Sequence, residues 1–184
     1  MILLDKAVPK KDGARPPLTL IFRKTLKKQD EDVVRMLTKD SGFFSAEEVE
    51  IAVELVTERL AKGPASGYHF VFVEDEYRVL GYSCYGPIPG TKSSFDLYWI
   101  VVDRKLRNQA IGKRLLAHTE NLAREMKSTR MYVDTSSRMQ YAPTRAFYKS
   151  CGYEEEAVLK NFYKPGEHKV IFAKRLDRGP AMVK

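Results

Sequence analysis

Apolar and polar positions along this chain follow two periods in turn, and each change of period marks the edge of an element. Leu18 to Phe22 reads as a first strand and Asp30 to Leu37 as a short helix. Ser45-Ala-Glu-Glu48 is a capping-box pattern, in which the Ser hydroxyl and the Glu carboxylate each take up a backbone N–H that the start of a helix leaves free. It opens a helix with Val49, Val53, Leu55, Val56 and Leu60 roughly on one face, and Gly63-Pro64 ends it. Three β-like stretches follow: His69 to Glu74, Arg78 to Tyr85 and Ser94 to Val102. Asp75-Glu76 and the breakers of Gly86-Pro-Ile-Pro-Gly90 join them, and such short connections predict antiparallel neighbours.

A long helix is predicted from about Gln109 to Lys127, with Ile111, Leu115, Leu122 and Met126 at helical spacing. Met131 to Thr135 reads as a strand. Pro143 to Ser150 reads as a helix, with proline in its first turn and Gly152 just past its end. Tyr153 to Leu159 and Lys169 to Lys174 are two last strands around a turn at Pro165-Gly166. Antiparallel strands feeding a βαβ crossover predict an α/β (α+β) fold: one mixed, mostly antiparallel sheet of about seven strands with helices on both faces. The expected domain runs over 18–176, after a loose basic segment at 1–17 and before a tail at 177–184.

Composition narrows the classes. The 184 residues suit one domain, and 43% hydrophobic with 30% charged residues is ordinary for a globular protein. No apolar run approaches the ~20 residues that cross a bilayer. Met1-Ile2-Leu3-Leu4, followed by Asp5, is too short for a signal-peptide core. Cys84 and Cys151 make neither a disulfide framework nor a metal-ligand pattern, so a reducing cytoplasm and no metal are expected. The 32 Lys and Arg against 24 Asp and Glu give a net charge of +8. That balance fits nucleic acid, an acidic membrane or a phosphate-rich cofactor, and does not choose among them.

Candidate chemistry concentrates in Tyr98-Trp-Ile-Val-Val-Asp-Arg-Lys-Leu-Arg-Asn-Gln-Ala-Ile-Gly-Lys-Arg-Leu-Leu116. An apolar strand ends near Asp103, a polar loop follows, and the small residues Ala110 and Gly112 stand where a helix begins. Backbone N–H groups at a helix start have no intrahelical acceptor, and the helix dipole adds partial positive charge. Small side chains let a phosphate approach those amides, while Arg107, Lys113 and Arg114 bring full charges nearby. A P-loop is excluded, because Arg107 holds the place of its first glycine and Arg114 follows Lys113; no dinucleotide glycine motif is present. For this segment alone, a basic amphipathic helix without a ligand is the alternative.

Arg107-Asn-Gln-Ala-Ile-Gly112 resembles the R/Q-x-x-G-x-G/A acyl-CoA signature of the GNAT superfamily, and it follows a strand and opens a long helix as that signature does. Tyr141-Ala-Pro-Thr-Arg-Ala-Phe-Tyr-Lys-Ser-Cys-Gly-Tyr153 resembles the later motif of the same family. The element order agrees from about Leu18 to Leu176. The resemblance implies acetyl-CoA as co-substrate, with Ile100, Val101 and Val102 pairing with the pantetheine arm. It assigns the pyrophosphate to the loop of Arg107, Asn108, Gln109, Ala110, Ile111, Gly112 and Lys113. Ala110 replaces the first glycine of the signature, which a methyl group tolerates if φ there stays negative. Tyr141 stands where many relatives carry an Asn that contacts the cofactor, and it joins the cofactor set. Tyr148 corresponds to the tyrosine that protonates the departing CoA thiolate, and a phenol suits that task.

Asp134 lies within the apolar strand before the Tyr148 helix. A carboxylate there faces a cleft or a hydrogen-bond network, since unpartnered burial is costly. Some relatives carry a Glu base at that place, so Asp134 is expected to act as base or amine-binding group, with structural hydrogen bonding as the alternative. Cys151 has no histidine near it in sequence and reads as a small packed residue, as does Cys84. His69, His118 and His168 belong to no hydrolase or zinc pattern. Phe43, Phe44, Tyr85, Trp99, Tyr141, Phe162 and Tyr163 could line an acceptor pocket or simply pack. The expected reaction is acetyl transfer to a primary amine of a small molecule by direct attack in a ternary complex. Acetylation of a protein N-terminus or lysine, and a non-catalytic acyl-CoA-binding domain, are the alternatives. No nucleic-acid or membrane partner is expected, and the chain is expected to be a monomer or homodimer.

Overall fold

The computed structural model describes residues 19–177, so the basic segment at 1–17 and all but the first residue of the tail lie outside the described residues. The elements are β1 (Ile21–Arg23), α1 (Asp30–Ser41), α2 (Ala46–Lys62), β2 (His69–Glu74), β3 (Val79–Pro87), β4 (Ser94–Val102), α3 (Ile111–Glu125), β5 (Arg130–Ser136), α4 (Ala142–Ser150), β6 (Glu154–Lys164) and β7 (Glu167–Arg175). They form one seven-stranded sheet in the order β1-β2-β3-β4-β5-β7-β6. Every neighbouring pair is antiparallel except β4 with β5, which the α3 crossover makes parallel. The predicted mixed, mostly antiparallel sheet is therefore the observed one.

Alternation along the central strands builds a core on each face of the sheet. Phe70 and Phe72 of β2 pack with Val34 and Leu37 of α1 and Val53 and Val56 of α2. Val71 and Val73, pointing the other way, pack with Ile111, Leu115 and Leu116 of α3 and Tyr148 of α4. In β4 that alternation is reset. Cys84 pairs with Trp99 and Tyr85 with Leu97, so Tyr98 is an extra residue, a β-bulge. Before the bulge Phe95 and Leu97 belong to the α3/α4 core; after it Val101 belongs to the α1/α2 core.

Boundaries differ from the sequence reading where tertiary pairing decides them. The first strand shrinks to three residues because it meets only Phe72 to Glu74 at the edge of the sheet. Helix α1 runs on to Ser41, where Gly42 turns left-handed (φ 74°) and ends it. Helix α3 starts at Ile111 rather than Gln109, because Asn108 and Ala110 both have positive φ.

The start of α1 is pinned by charge. The Arg23 guanidinium donates to both Asp30 carboxylate oxygens (2.8 and 2.9 Å) and to Glu74 (2.7 Å), while the Lys27 amide donates to Asp30 (2.7 Å). Asp30 is fully buried. Removing one member of such a buried pair strands the other's charge. Asp30→Ala is therefore expected to lower the unfolding free energy by about 3 kcal/mol in urea titrations. A loss below about 1 kcal/mol would show that this pair does not hold α1 to the sheet.

Candidate active site

Strands β4 and β5 pair over three positions only, Ser94 with Arg130, Phe95 with Met131 and Asp96 with Tyr132. Beyond Asp96 they part, although β4 stays paired with β3 to its end. The wedge between them opens into a cavity of about 610 Å³. Ile100, Val101 and Val102 form one wall, and Asp134 and Thr135 the other. Tyr148 and Phe147 of α4 reach it from one side, and Phe43 and Phe44 from the α1–α2 connection.

The wedge runs to the N-terminus of α3. Arg107, Asn108, Ala110, Ile111, Gly112 and Lys113 all line the cavity; Gln109 does not. No side chain caps this helix, and its first internal bond is donated by Arg114 to Ala110 (3.1 Å). The amides of Ile111, Gly112 and Lys113 are thus left without an intrahelical partner. A Cβ built on Gly112 would stand 3.5 Å from the Phe147 ring and 3.8 Å from Val102, ordinary contact distances. Packing within the protein therefore does not demand this glycine. Its missing side chain leaves open the space in front of the amides.

The condition for tolerating a methyl group at position 110 is not met. Ala110 does not keep a negative φ; it lies at φ 58° and ψ 5° in the left-handed region. Asn108, two residues earlier, has φ 64°. The loop has to reverse direction within a few residues to aim the α3 amides at the wedge, and that path overrides alanine's own preference.

Two side chains assigned to the cofactor are tied elsewhere. The Arg107 guanidinium donates to the Ser41 carbonyl (2.9 Å) and lies 4.9 Å from the centre of the Phe43 ring; burial lowers its pKa. The Tyr141 hydroxyl donates to the Phe43 carbonyl (2.9 Å), and the two rings are 5.4 Å apart. Together they clamp the α1–α2 connection over the cavity. Tyr141 itself lines the cavity, as do Phe43, Phe44 and Trp99, whereas Tyr85 is core and Phe162 and Tyr163 are exposed on β6.

Tyr148 is 4% exposed among the rings of Phe147, Tyr153 and Phe172. Burial pushes its phenol well above the usual range. Asp134 is exposed on the opposite face of β5 and forms an ion pair with Lys169 of β7. A further carboxylate joins it, which the sequence reading missed. Asp96 of β4 is paired in register with Tyr132, two residues before Asp134, so the two carboxyls share a face. Burial first, and the charge of Asp134 next, push Asp96 up to about 6, while Lys169 pulls it back. The signal was present: Asp96 interrupts an apolar strand just as Asp134 does.

Cys84 is buried and Cys151 packs against the core, with its thiol raised by burial, as small packed residues should be. His69 and His118 lie against the rings of Tyr85 and Phe22, and His168 accepts a hydrogen bond from the Asn161 amide (3.0 Å). None of the three histidines lines the cavity. Among the described residues no cluster of three or more His, Cys, Asp or Glu is arranged to hold a metal, and no helix is long and apolar enough to cross a membrane.

The left-handed Ala110 gives a direct test. Glycine removes a steric cost of roughly 1–2 kcal/mol there, offset in part by its greater freedom in the unfolded chain. Ala110→Gly is expected to stabilise the protein by about 0.5 kcal/mol, read as a small rise in Tm. A fall in Tm would show that the alanine is unstrained.

Comparison with known proteins agrees with this geometry. Residues 31–153 match the sequence model of the Acetyltransferase (GNAT) family. A crystal structure described as an acetyltransferase of the GNAT family from Desulfovibrio desulfuricans is 40% identical, with a TM-score of 0.85 over 86% of this chain and 99% of that one. An aminoglycoside 6′-N-acetyltransferase complexed with coenzyme A has the same fold at 18% identity, with a TM-score of 0.69 over 87% of this chain and 99% of that one. The ribosomal-protein-S18-alanine N-acetyltransferase of Escherichia coli does so at 16% identity, with a TM-score of 0.67 over 90% and 99%. No curated protein sequence matches significantly. The chain belongs to the GNAT acetyltransferase family and is an acyl-CoA-dependent N-acetyltransferase.

Proposed function

We propose that this enzyme transfers the acetyl group of acetyl-CoA to the primary amine of a small, positively charged molecule, by direct attack in a ternary complex. The observation that carries the reading is the wedge itself. It has three free helix amides at one end, a buried tyrosine and Asp134 along its walls, and Asp96 next to Asp134 at the last paired position of β4. The residues fit the cofactor: amides, Gly112 and Lys113 suit a pyrophosphate, and the unpaired edge of β4 suits an amide-bearing arm. When bound, acetyl-CoA supplies the activated acyl carbon as a thioester.

The chain's own groups then have distinct tasks. Main-chain amides along the free edge of β4 orient the thioester and polarise its carbonyl. Holding both reactants in line is the larger contribution. An alkyl amine with a pKa near ~10.4 arrives protonated, so something must hold the cation and take its proton. Asp134 is suited to hold it, being exposed beside the cavity and kept in place by Lys169. Asp96, at about 6, is matched to a general base working near neutral pH. Tyr148 keeps its proton at every physiological pH. A thiol's ordinary pKa is only ~8.5, so the Tyr148 hydroxyl acts chiefly by donating a hydrogen bond to sulfur as charge develops there. A panel of small amines, assayed for CoA thiol release with acetyl-CoA, tests the reading. Release that depends on a cationic amine is expected; release independent of any acceptor would contradict it.

Two results separate the roles. Tyr148→Phe should bind CoA as the parent does and lower kcat by about 10²-fold; full turnover would reduce Tyr148 to a packing residue. If Asp96 is the base, kcat/KM climbs as pH rises through about 6, because only the deprotonated carboxylate accepts the proton. Asp96→Asn should remove that limb and lower kcat, whereas Asp134→Asn should raise the amine KM with little loss of kcat. The converse pattern would exchange the two assignments.

A further inference from the structure

Arg107 stands in the phosphate cradle by sequence, yet its head group points away from it. Its partners among the described residues are the Ser41 carbonyl (2.9 Å) and the Phe43 ring, and neither is a carboxylate. A guanidinium partly stripped of water needs negative charge close by. Ser41 supplies it as the last residue of α1, where carbonyls lack intrahelical donors and the dipole leaves partial negative charge. The face of Phe43 adds to it. Arg107 thus completes the end of a helix 66 residues away.

What that end leads into gives the contact its meaning. Between Ser41 and Ser45, the N-cap of α2, only Gly42, Phe43 and Phe44 carry the chain from one helix to the next. The Phe43 amide donates to Ser41 Oγ (3.2 Å) within this span. Two side chains hold it from elsewhere in the fold: Arg107 at the Ser41 carbonyl and Tyr141 at the Phe43 carbonyl (2.9 Å). Both phenylalanines are partly buried and line the cavity. Phe44 lies 6.2 Å from the Trp99 ring, and Trp99 follows Tyr98 on β4. Burial first and the charge of Asp96 next raise the Tyr98 phenol, so this run of rings leads toward Asp96 and not toward the α3 amides.

We propose that Arg107 is a positioning residue for the acceptor amine. With Tyr141 it fixes Phe43 and Phe44 as a roof over the carboxylate end of the cavity, and its guanidinium is not a ligand of the pyrophosphate. The proposal rests on the reading of the cavity as an acetyl-CoA and amine site. Gly42, Phe43 and Phe44 carry no charge, so the roof meets the carbon body of the acceptor while Asp134 holds its ammonium. The planar fork suits the task, because it bonds a carbonyl through its edge and covers a ring with its face. Releasing the roof costs alignment of the amine and leaves the cofactor's own contacts in place.

The experiment compares the whole chain with Arg107→Met, which removes the donors and keeps an unbranched stem, and with Tyr141→Phe, which removes only a hydroxyl. Trp99 is the chain's only tryptophan, so acrylamide quenching of its fluorescence reports on the roof without any ligand. Quenching should rise by about twofold in both variants. Calorimetric titration should find coenzyme A affinity within about threefold of the parent, while the KM for amine rises by about three- to tenfold with less change in kcat. The amine is whichever of 2-phenylethylamine, n-hexylamine and 1,4-diaminobutane the parent uses fastest. A larger loss of coenzyme A affinity in Arg107→Met with an unchanged amine KM would overturn the proposal and make Arg107 a phosphate ligand. Unchanged quenching and amine KM in both variants would overturn it too, since the roof would then stand without them. A parent that binds coenzyme A but uses none of the three amines would overturn the amine reading first, and this role with it.

Discussion

The constraint on which the site depends is the parting of β4 from β5. A strand in the middle of a sheet normally spends both edges on its neighbours, and β4 spends one edge throughout and the other for three residues only. From Leu97 onward its second row of N–H and C=O groups faces the wedge. The bulge at Tyr98 contributes, because the extra residue re-aims the strand just where it leaves its partner. Everything chemical is arranged around that gap. The α3 amides close one end, Asp96 marks the last paired position, and Asp134 and Tyr148 stand on opposite sides of β5.

The floor of the site is tied together by long-range contacts rather than by any one element. Arg107, from the loop that leads into α3, and Tyr141, from the approach to α4, both reach the short connection between α1 and α2. They hold Phe43 and Phe44 over the cavity, so the pieces that meet the two reactants are mechanically joined. The ion pairs of Asp30 with Arg23 fix the far end of α1. The electrostatics are divided in the same way. Lys169 pairs with Asp134, while burial and the neighbouring Asp134 charge push Asp96, half buried beside it, up to about 6.

Much of this was readable in the residues. Alternation in Ser94 to Val102, the proline and glycine flanking α4 and the small residues opening α3 are local signals, and the elements they predict are present. What local signals could not carry was pairing. Neither the left-handed turn at Ala110 nor the engagement of Arg107 with Ser41, 66 residues earlier, follows from nearby sequence. Alanine's intrinsic preference pointed to a negative φ, and the path of the chain overrode it. Asp96 shows a different failure: its chemistry was visible as a carboxyl in an apolar strand, but its raised pKa comes first from burial and then from Asp134, and only the folded sheet supplies either.

The central claim is that the α3 amides and the wedge form an acetyl-CoA site, and ligand-induced stabilisation measures it most directly. Excess acetyl-CoA should raise the Tm of the parent by mass action. Gly112→Glu puts bulk and negative charge beside the amides where the pyrophosphate would lie, with its Cβ in ordinary contact with Phe147 and Val102. The account predicts a clear Tm shift in the parent and none in the variant. An equal shift in both proteins, or no shift in the parent, would contradict it.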